Sequence, residues 1–529
     1  MISVSDLYHE LAAGTIRPLD YRVNVSFTKA RNEDISWFTL DRSVLDGGDL
    51  LADDDTKPVQ IWDAYEYQDI SERLVDMSIS RSVEFPYNVQ SAIADFTLNN
   101  YDGYLSIAGA GGESPLSPFI LPKRPCRLYL GFKTGGQAPQ FVGLTQGIPS
   151  YDGFRNERVS FTALDFLSEI GNMKLKAMVM MRDVRTDEVI AAILDQFGLE
   201  PQMYSLDHGL NVIPFAYFEP GKDAGHALRE LVQAEDGSMW LDEQGIIRFQ
   251  PRTAVIGKTP VMTFDSTNLV TISAGREAQM VNSIFISAEV RKVLPLQPVF
   301  ADDNANGYSS DAAQDNYRVP ANGTKEIWLN FDDPVWTANP LVLNGSAKSS
   351  NFTAVDLNGN RVSTGVGATG TLFATSYKLE LVNNNSFPVS INYLELWGEP
   401  ARMVGGQALE YEAEDEESVA KYGQIRVEIT DNRCFGSLEN ARGYALDVLR
   451  KYSEYNNTLT ASVKGDPALQ LSDIVEIDYP MYDGLYIVTG ISHKLTDARL
   501  ETELSLRKTR AYTPFILDQS VLNGEDVLS

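Results

Sequence analysis

The sequence predicts a mainly β protein with some α-helix, in which a small α/β module and an inserted β-sandwich separate two strand-rich modules. Three observations predict this organisation. Apolar and polar residues alternate in residues 20–175 and again in residues 405–510, as in strands with one buried face. Residues 183–252 carry apolar residues at helical spacing. Residues 296–400 are rich in Asn, Gly, Ser and Thr and contain many short strand patterns, which favours a sandwich.

Length and charge narrow the class of protein. The chain has 529 residues, which at roughly 150 residues per domain suggests three or four domains. It contains 73 Asp and Glu against 44 Lys and Arg, and the formal net charge is −29. Proteins that bind nucleic acid through its phosphates, or that dock on anionic lipid, need a basic face. The composition therefore argues against both kinds of binding.

The chain shows no pattern for export or membrane insertion. Its N-terminus lacks the basic start and apolar run of a signal peptide, and no stretch approaches the ~18–20 apolar residues of a membrane span. Cys126 and Cys434 are the only cysteines, too few for a disulfide framework or a cysteine-rich zinc site. We therefore expect a soluble protein without a membrane anchor, made in a reducing cytosol.

The first strand-rich module is predicted from alternation and turns. Residues 77–85, 94–98 and 159–164 alternate with period two, so that every second side chain would face a core. Turn-forming residues follow at 99–103 and 152–153. These patterns indicate half-buried antiparallel strands.

Helices are predicted at three places. Thr186 would cap the first helix, which Gly198 closes, and a second helix would start at Asp223. A hairpin turning at residues 244–245 follows. Ser437 would cap a longer helix with one apolar stripe. The stripe consists of Leu438, Ala441, Ala445, Val448, Leu449 and Tyr452.

Within the inserted sandwich, a polar segment at residues 302–320 is predicted to be a linker. Residues 302–307 match the first half of a calcium-binding loop. Position twelve of that loop is Ala313, where a bidentate Glu is required. The linker is the favoured interpretation, with weak surface binding of calcium as the alternative.

These patterns divide the chain into five parts. Their predicted bounds are 1–180 for the first strand-rich module with an N-terminal arm, 181–255 for the α/β module, 256–295 with 402–512 for the second strand-rich module and long helix, 296–401 for the sandwich, and 513–529 for a C-terminal peptide.

The two ends of the chain share a short repeat, residues 38–51 and 515–528. The matched positions include Phe38, Leu40 and Asp41 in the first copy and Phe515, Leu517 and Asp518 in the second. One interpretation is a reused strand–turn unit with a tight Asp-Gly or Asn-Gly turn. The other is a docking peptide, in which two equivalent grooves of an assembly each bind one copy.

No pattern predicts a catalytic, cofactor-binding or metal-binding residue. The four histidines, His9, His208, His226 and His493, lack partners at metal-ligand spacing, so each is expected at the surface or as a cap. Nucleophile elbow, P-loop and dinucleotide patterns are missing, and the glycine-rich run 108–112 lies between strand-like segments, which favours a loop. Carboxylates are abundant, but abundance does not make a catalytic pair. The sequence therefore predicts no enzyme and no cofactor.

Four sequence regions, taken in order, carry a resemblance to a known family. They are residues 79–103 with 124–128, 141–143 and 162–165; residues 237–245; residues 379–400 with 415–423; and residues 465–467 with 471–475 and 486–493. In this order and spacing the chain resembles the tail-tip or baseplate hub proteins of siphophage-type bacteriophages, the minor tail protein family.

This resemblance implies a specific architecture and role. Each chain would carry two tail-tube-like β-barrel domains, and a homotrimeric ring would close the distal end of the tail tube. The protein would be made in the host bacterial cytoplasm and lie at the distal tip of the virion tail. Its partners would be a distal tail protein or tube ring, the tape measure protein, and tail fibre or receptor-binding proteins. DNA would pass through the channel without stable binding, which suits an acidic chain.

Two other functions compete with the structural hub. The sandwich could be a carbohydrate-binding adhesin, with Trp328, Trp336 and Trp397 as stacking platforms, although aromatic residues at such spacings more often form a core. A cell-wall-degrading tail enzyme is the third function, and no catalytic constellation supports it. Relatives often carry a lytic region after the second barrel, whereas this chain stops at Ser529. We therefore expect no lytic domain.

Overall fold

The computed structural model describes residues 1–14, 17–27, 65–83, 89, 91–107, 114–152, 157–255, 257–274, 280–302, 317–346, 348–403, 405, 408–430, 432–453, 458–497 and 499–509. Strands predominate in these residues, and six α-helices accompany them. The predicted class, mainly β with some α, is confirmed. The described helices are all too short or too polar to cross a lipid bilayer.

The first strand-rich module has the predicted inward and outward alternation. Ala94, Phe96 and Leu98 are buried, and so are Val159 and Phe161. The module's elements are α1 (Asp6–Ala13), β1 (Leu19–Val25), β2 (Gln68–Asp69), β3 (Leu74–Ser82), β4 (Ile93–Asn99), β5 (Pro125–Phe132), β6 (Gly136–Thr145), β7 (Ser150–Asp152), β8 (Arg158–Asp165) and α2 (Phe166–Asn172).

The α/β module contains the predicted helices and hairpin. Its elements are β9 (Met181–Arg185), α3 (Thr186–Gln196), β10 (Tyr204–Leu206), β11 (Val212–Ala216), α4 (Ala224–Glu235), β12 (Ser238–Leu241) and β13 (Ile247–Gln250). Strands β12 and β13 pair antiparallel, and Gly245 in their turn has φ +86°, which favours glycine. The helix α4 begins at Ala224, one residue after the predicted start at Asp223.

One predicted cap is wrong. The residue that precedes α3 is Arg185, and Thr186 is the first residue of the helix. The Thr186 hydroxyl instead donates to the buried carboxylate of Glu235 at 2.8 Å. The start of α3 is held by the Glu188 side chain, which accepts from the Arg185 backbone N–H at 2.8 Å.

The remaining elements are two helices and the strands of the sandwich, of the second strand-rich module and of a small three-stranded sheet. In chain order they are β14 (Met262–Phe264), β15 (Leu269–Ala274), β16 (Ser283–Ala288), β17 (Arg291–Val293), β18 (Gln297–Asp302), β19 (Arg318–Val319), β20 (Gly323–Asn330), β21 (Val335–Ala338), β22 (Val342–Leu343), β23 (Asn351–Val355), β24 (Arg361–Val362), β25 (Val366–Leu372), β26 (Ser376–Asn383), β27 (Val389–Met403), β28 (Leu409–Glu414), α5 (Glu416–Tyr422), β29 (Arg426–Ile429), α6 (Leu438–Tyr452), β30 (Thr458–Val463), β31 (Ile474–Ile477), β32 (Gly484–Thr496) and β33 (Arg499–Lys508).

The inserted segment is a sandwich of two sheets. One sheet is built around the long strand β27, and the other has the order β20-β26-β25. Leu379 and Leu381 of β26 and Leu394 and Leu396 of β27 are buried in the core between them. The alternation along both strands therefore supplies the two inner faces of one core.

Both strand-rich modules belong to one sheet, which has 14 strands among the described residues. Its main path is β15-β30-β33-β32-β3-β4-β8-β6-β5-β1-β2, and it is open along these strands, with β15 and β2 at its edges. Strand β3 of the first module pairs antiparallel with β32 of the second, from Asp76 opposite Thr496 to Ser82 opposite Gly490. Each module keeps an apolar core of its own beneath this sheet.

The long helix α6 packs into the core of the α/β module. Tyr444, Ala445 and Val448 belong to the same buried cluster as Leu228 and Leu231 of α4. The Ser437 hydroxyl accepts from the Asn440 N–H and caps the helix, as predicted. The predicted stripe was wrong in one position, because Leu438 in the first turn is 39% exposed. The domain bounds remain a prediction, although α6 shares its core with α3 and α4.

Candidate functional site

The outward side of β3 carries a row of serines. Met77, Ile79 and Arg81 point into the interior, whereas Ser78, Ser80 and Ser82 face out. Opposite residues in an antiparallel pair lie on the same face. Ser80 lies opposite Ser492 of β32, so the row continues across the junction between the two modules.

The same face extends from β3 to β4 and β8. Ser78 lies opposite Asp95 of β4, which lies opposite Thr162 of β8. The Thr162 hydroxyl donates to the Asp95 carboxylate at 2.5 Å, and the hydroxyls of Thr97 and Ser160 are 3.0 Å apart. Cross-strand hydrogen bonds thus hold these side chains in a fixed arrangement.

On the other side the face extends through β33 and β30 to β15. Its members in these strands are Glu503, Ser505, Thr460, Ser462, Thr271 and Ser273, all placed by direct cross-strand register. The band from β8 to β15 is seven strands wide, and we call it the hydroxyl face. Its residues are partly or fully exposed.

Charged side chains lie among the hydroxyls of this face, including Asp76 of β3 and Arg158 of β8. Asp95 and Glu503 are exposed carboxylates within it, and Lys494 has Glu501 directly opposite on β33. Ile93, which is 44% exposed, is an apolar side chain on this face. A surface of short hydroxyls offers no basic patch to DNA phosphates and no broad apolar patch to a passing protein.

A buried ion pair fixes the orientation of the α/β hairpin beneath this sheet. Arg81 of β3 pairs with Glu243 in the β12–β13 turn, and their side chains are only 3% and 1% exposed. Gln470 donates to the other oxygen of Glu243 at 2.7 Å. Burial lowers the pKa of Arg81 to about 10, while the nearby Asp242 carboxylate opposes that shift. Three segments distant in sequence therefore meet at one buried polar joint.

His493 lies in the interior next to this joint, so the expectation that each histidine would be a surface or capping residue was wrong for it. Its side chain sits on β32, and Nδ1 lies 2.9 Å from the hydroxyl of Thr502 on β33. Burial, together with the positive charges of Arg81 and Arg17, lowers the pKa of His493 to about 3. The imidazole is therefore neutral in the folded protein at ordinary pH.

The other three histidines each lie near a carboxylate. His9 is 3.0 Å from Asp466, and His226 is 2.8 Å from Glu230. His208 is 87% exposed and lies 3.5 Å from Asp187. Across the part of the chain that the structure describes, no three His, Cys, Asp or Glu side chains come together as a metal site.

The three tryptophans considered for glycan stacking occupy different environments. Trp328 on β20 is 47% exposed and stacks on Phe373 with ring centroids 5.5 Å apart. Trp336 is partly buried against the small cluster that contains Tyr217, and the Arg182 guanidinium lies 5.7 Å from its ring. Trp397 on β27 is also partly buried. Of the three, Trp328 offers an open ring, and glycan binding stays a prediction.

Several sequence features lie outside the described residues. These are the docking repeat with Phe38, Leu40, Asp41, Phe515, Leu517 and Asp518, the glycine-rich run 108–112, and most of the calcium-like segment. The hydroxyl face was missed by the sequence analysis, although its signal is present. In residues 77–83 the polar partner of each alternating pair is always serine.

Solved structures similar to this chain include proteins described as tail proteins, two of them from prophages. The tail protein from Neisseria meningitidis MC58 is 11% identical, with a TM-score of 0.45 over 84% of this chain and 94% of that one. The 43 kDa tail protein of prophage MuSo2 from Shewanella oneidensis is 10% identical, with a TM-score of 0.44 over 84% and 95%. Prophage tail protein gp18 from Listeria monocytogenes EGD-e is 10% identical, with a TM-score of 0.40 over 84% and 92%.

No family model and no curated protein sequence matches the chain. At identities of 10–11% and TM-scores below 0.5 the structural likenesses are distant.

Proposed function

We propose that this protein is the structural hub of a phage tail tip or baseplate, and that three copies form a ring closing the distal end of the tail tube. The hydroxyl face carries this proposal. It is a band seven strands wide that crosses both modules through the β3–β32 pair. In the ring this face would line the channel through which the tape measure protein and DNA pass.

The chemistry of the face suits such a channel. Short Ser and Thr side chains lose little conformational freedom and present no cation to a phosphate. The net charge of −29 repels a polyanion as a whole. DNA would therefore move along this wall without stable binding, which is the behaviour that ejection requires.

The architecture also suits a three-fold ring. Each chain carries two strand-rich modules in one sheet, so three chains would present six such modules around the axis. Closure of a three-fold ring requires heterologous contacts between neighbours. In this proposal a distal tail protein or tube ring would dock on one side, and tail fibre or receptor-binding proteins would be organised on the other. The proposed role is structural, without catalysis or cofactor, at the distal tip of the virion tail.

The oligomeric state is the first test. Light scattering on the purified chain should give a species near three times 58.6 kDa, and negative-stain averages should show a three-fold ring with a central hole. A protein that stays monomeric at high concentration, alone and with the tail tube protein, would contradict the ring.

A cysteine placed on the hydroxyl face would then test which face lines the channel. Both natural cysteines are buried, and burial raises the pKa of Cys126 to about 12 and also raises that of Cys434, so neither thiol reacts readily in the folded protein. The Ser80→Cys variant should react with a small maleimide in monomer and ring. It should react with a polyethylene-glycol maleimide only as a monomer.

The matched control is Ser363→Cys, at an exposed position of the inserted sandwich. This variant should react with the large reagent in both states. Equal reaction of the two variants in the assembled ring would show that the hydroxyl face is on the outside and would exclude the channel assignment.

A second candidate function, carbohydrate binding by the sandwich, is favoured by one observation. The exposed ring of Trp328 is held by stacking on Phe373, and the Lys378 ammonium lies 5.9 Å from it, so its position is fixed before any ligand binds. Rigid exposed aromatic rings suit sugar stacking. A glycan array with the whole chain should show binding that Trp328→Ala abolishes and Phe387→Ala, at another exposed aromatic, leaves intact. Absence of binding would leave the sandwich a structural insert.

A further inference from the structure

A small cleft lies between α4 of the α/β module and strand β29. Its volume is about 300 Å³, and it is lined by residues of α4 and β29 and by Thr430 and Asn432. The polar side chains that matter most are Glu230 and Gln233 of α4, Glu428 of β29, and Asn432. None of these residues belongs to the proposed channel wall.

Glu230 has an unused acceptor that is covered at the wall of this cleft. Its side chain is 8% exposed, and Oε1 lies 2.8 Å from Nδ1 of His226. Its other oxygen, Oε2, is buried and has no hydrogen-bond partner among the described residues. A buried carboxylate oxygen without a donor costs free energy, and burial accordingly raises the pKa of Glu230.

The wall around Glu230 is held in place before any ligand arrives. The Asn432 amide donates to the Glu230 backbone carbonyl at 2.7 Å and to Gln233 Oε1 at 3.0 Å. The Asn432 side-chain oxygen accepts from the Cys434 N–H at 2.9 Å, which fixes the loop against α4. A fixed set of acceptors favours binding because little ordering remains to be done.

The cationic groups near the cleft do not satisfy Oε2. The Arg433 guanidinium donates to Glu219 at 2.7 Å, and Arg229, which lines the cleft, is exposed to solvent. Glu428 is exposed at the cleft wall and pairs with Arg426 at 2.9 Å. The cleft wall thus combines the Glu230 and Glu428 carboxylates and the amide groups with the exposed side chains of His226 and Arg229.

We propose that this cleft binds the cationic end of a lysine or arginine side chain from a partner polypeptide. An ammonium or guanidinium group would donate to Glu230 Oε2 and to Gln233 Oε1, and its charge would be balanced by Glu230 and Glu428. Because Oε2 is covered in the unbound cleft, the Glu230 side chain would turn to bring this oxygen to the incoming donor. The proposal is independent of the channel assignment.

The test uses the whole chain and three small probes, argininamide, lysinamide and citrullinamide, with binding measured by calorimetry or ligand-observed NMR. Citrullinamide has the shape of argininamide without the side-chain charge. At least one cationic probe should bind at least tenfold more tightly than citrullinamide, and the preferred probe shows whether the cleft suits guanidinium or ammonium. Equal binding of the three probes, or no binding of any, would overturn the proposal.

Three variants locate the binding. Glu230→Gln should weaken the preferred cationic probe at least tenfold, and Glu428→Gln, at an exposed position that tolerates change, should weaken it severalfold. Glu439→Gln, an exposed carboxylate outside the cleft, should leave binding unchanged. If Glu230→Gln fails to fold, Glu428→Gln decides alone, and unchanged affinity in that variant would overturn the proposal.

Discussion

Arg81 of β3 and Glu243 of the β12–β13 turn form an ion pair that is almost completely removed from solvent. The two residues are 162 positions apart in the chain. Their contact joins the first strand-rich module to the hairpin of the α/β module. Gln470, from the second strand-rich module, completes the joint by donating to Glu243.

Replacement of Arg81 alone should reduce the free energy of unfolding much more than replacement of both Arg81 and Glu243. Arg81→Met leaves the Glu243 charge buried without its cation, and we expect a loss of about 3–5 kcal/mol in the free energy of unfolding, measured in urea. The double variant Arg81→Met with Glu243→Gln should recover most of that loss. Arg426→Met, which breaks the more exposed pair with Glu412, should cost at most about 1 kcal/mol. Equal losses in the buried and exposed variants would contradict the joint.

The stability of the protein should depend on His493 at acidic pH. The folded pKa of about 3 lies below the ordinary value of 6.5, so between these values the unfolded chain binds the extra proton. Stability contributed by neutral His493 is therefore complete above pH ~6.5 and is lost as the pH falls toward 3. The melting temperature of the wild type should fall more steeply over this window than that of His493→Gln. Parallel curves would show that His493 does not titrate in this way.

The cap of α6 should make a measurable contribution. Ser437→Ala removes the acceptor for the Asn440 N–H, and we expect a loss of about 1 kcal/mol in the free energy of unfolding. Ser437→Asp keeps an acceptor at the same position and should stay close to the wild type. Equal losses of stability in the two variants would contradict the capping role of the Ser437 hydroxyl.

Two glycine substitutions should have opposite effects. A Cβ at Gly465 would lie 1.8 Å from the hydroxyl of buried Thr502, so Gly465→Ala should destabilise the fold by about 1–3 kcal/mol. At Gly443 in α6 the nearest side-chain atom would be 3.4 Å away, and Gly443→Ala should stabilise the helix by about 0.5–1 kcal/mol. The melting temperature should therefore fall in Gly465→Ala and rise in Gly443→Ala. Destabilisation by both would refute the packing described for α6.

Local patterns were enough to predict most single elements. The helix after Ser437 and the hairpin at Gly245 follow from caps, turn residues and periodicity, which act within a few residues. The prediction that Thr186 caps α3 was wrong because its hydroxyl forms a hydrogen bond with Glu235, which is 49 positions away. Leu438 was misplaced because an apolar residue in a first turn need not reach the core.

The hydroxyl face also has one part that the sequence predicts and another part that depends on distant contacts. The serines at 78, 80 and 82 are visible as a pattern, and the sequence alone indicates that they share one side of a strand. The sequence could not indicate that Ser492 lies opposite Ser80, because a period-two strand fits many partners. The cleft at Glu230 was equally invisible, since Asn432 reaches α4 from 202 positions away.

By itself the sequence determined the mainly β class, the acidic character, the helices of the α/β module and the inserted sandwich, because composition and periodicity act locally. Only the tertiary structure decided that both strand-rich modules join through β3 and β32, and that α6 packs with α4. Strand pairing and helix docking over hundreds of residues depend on which edges and apolar faces remain uncovered after each module collapses. That information lies in the complementarity of whole surfaces.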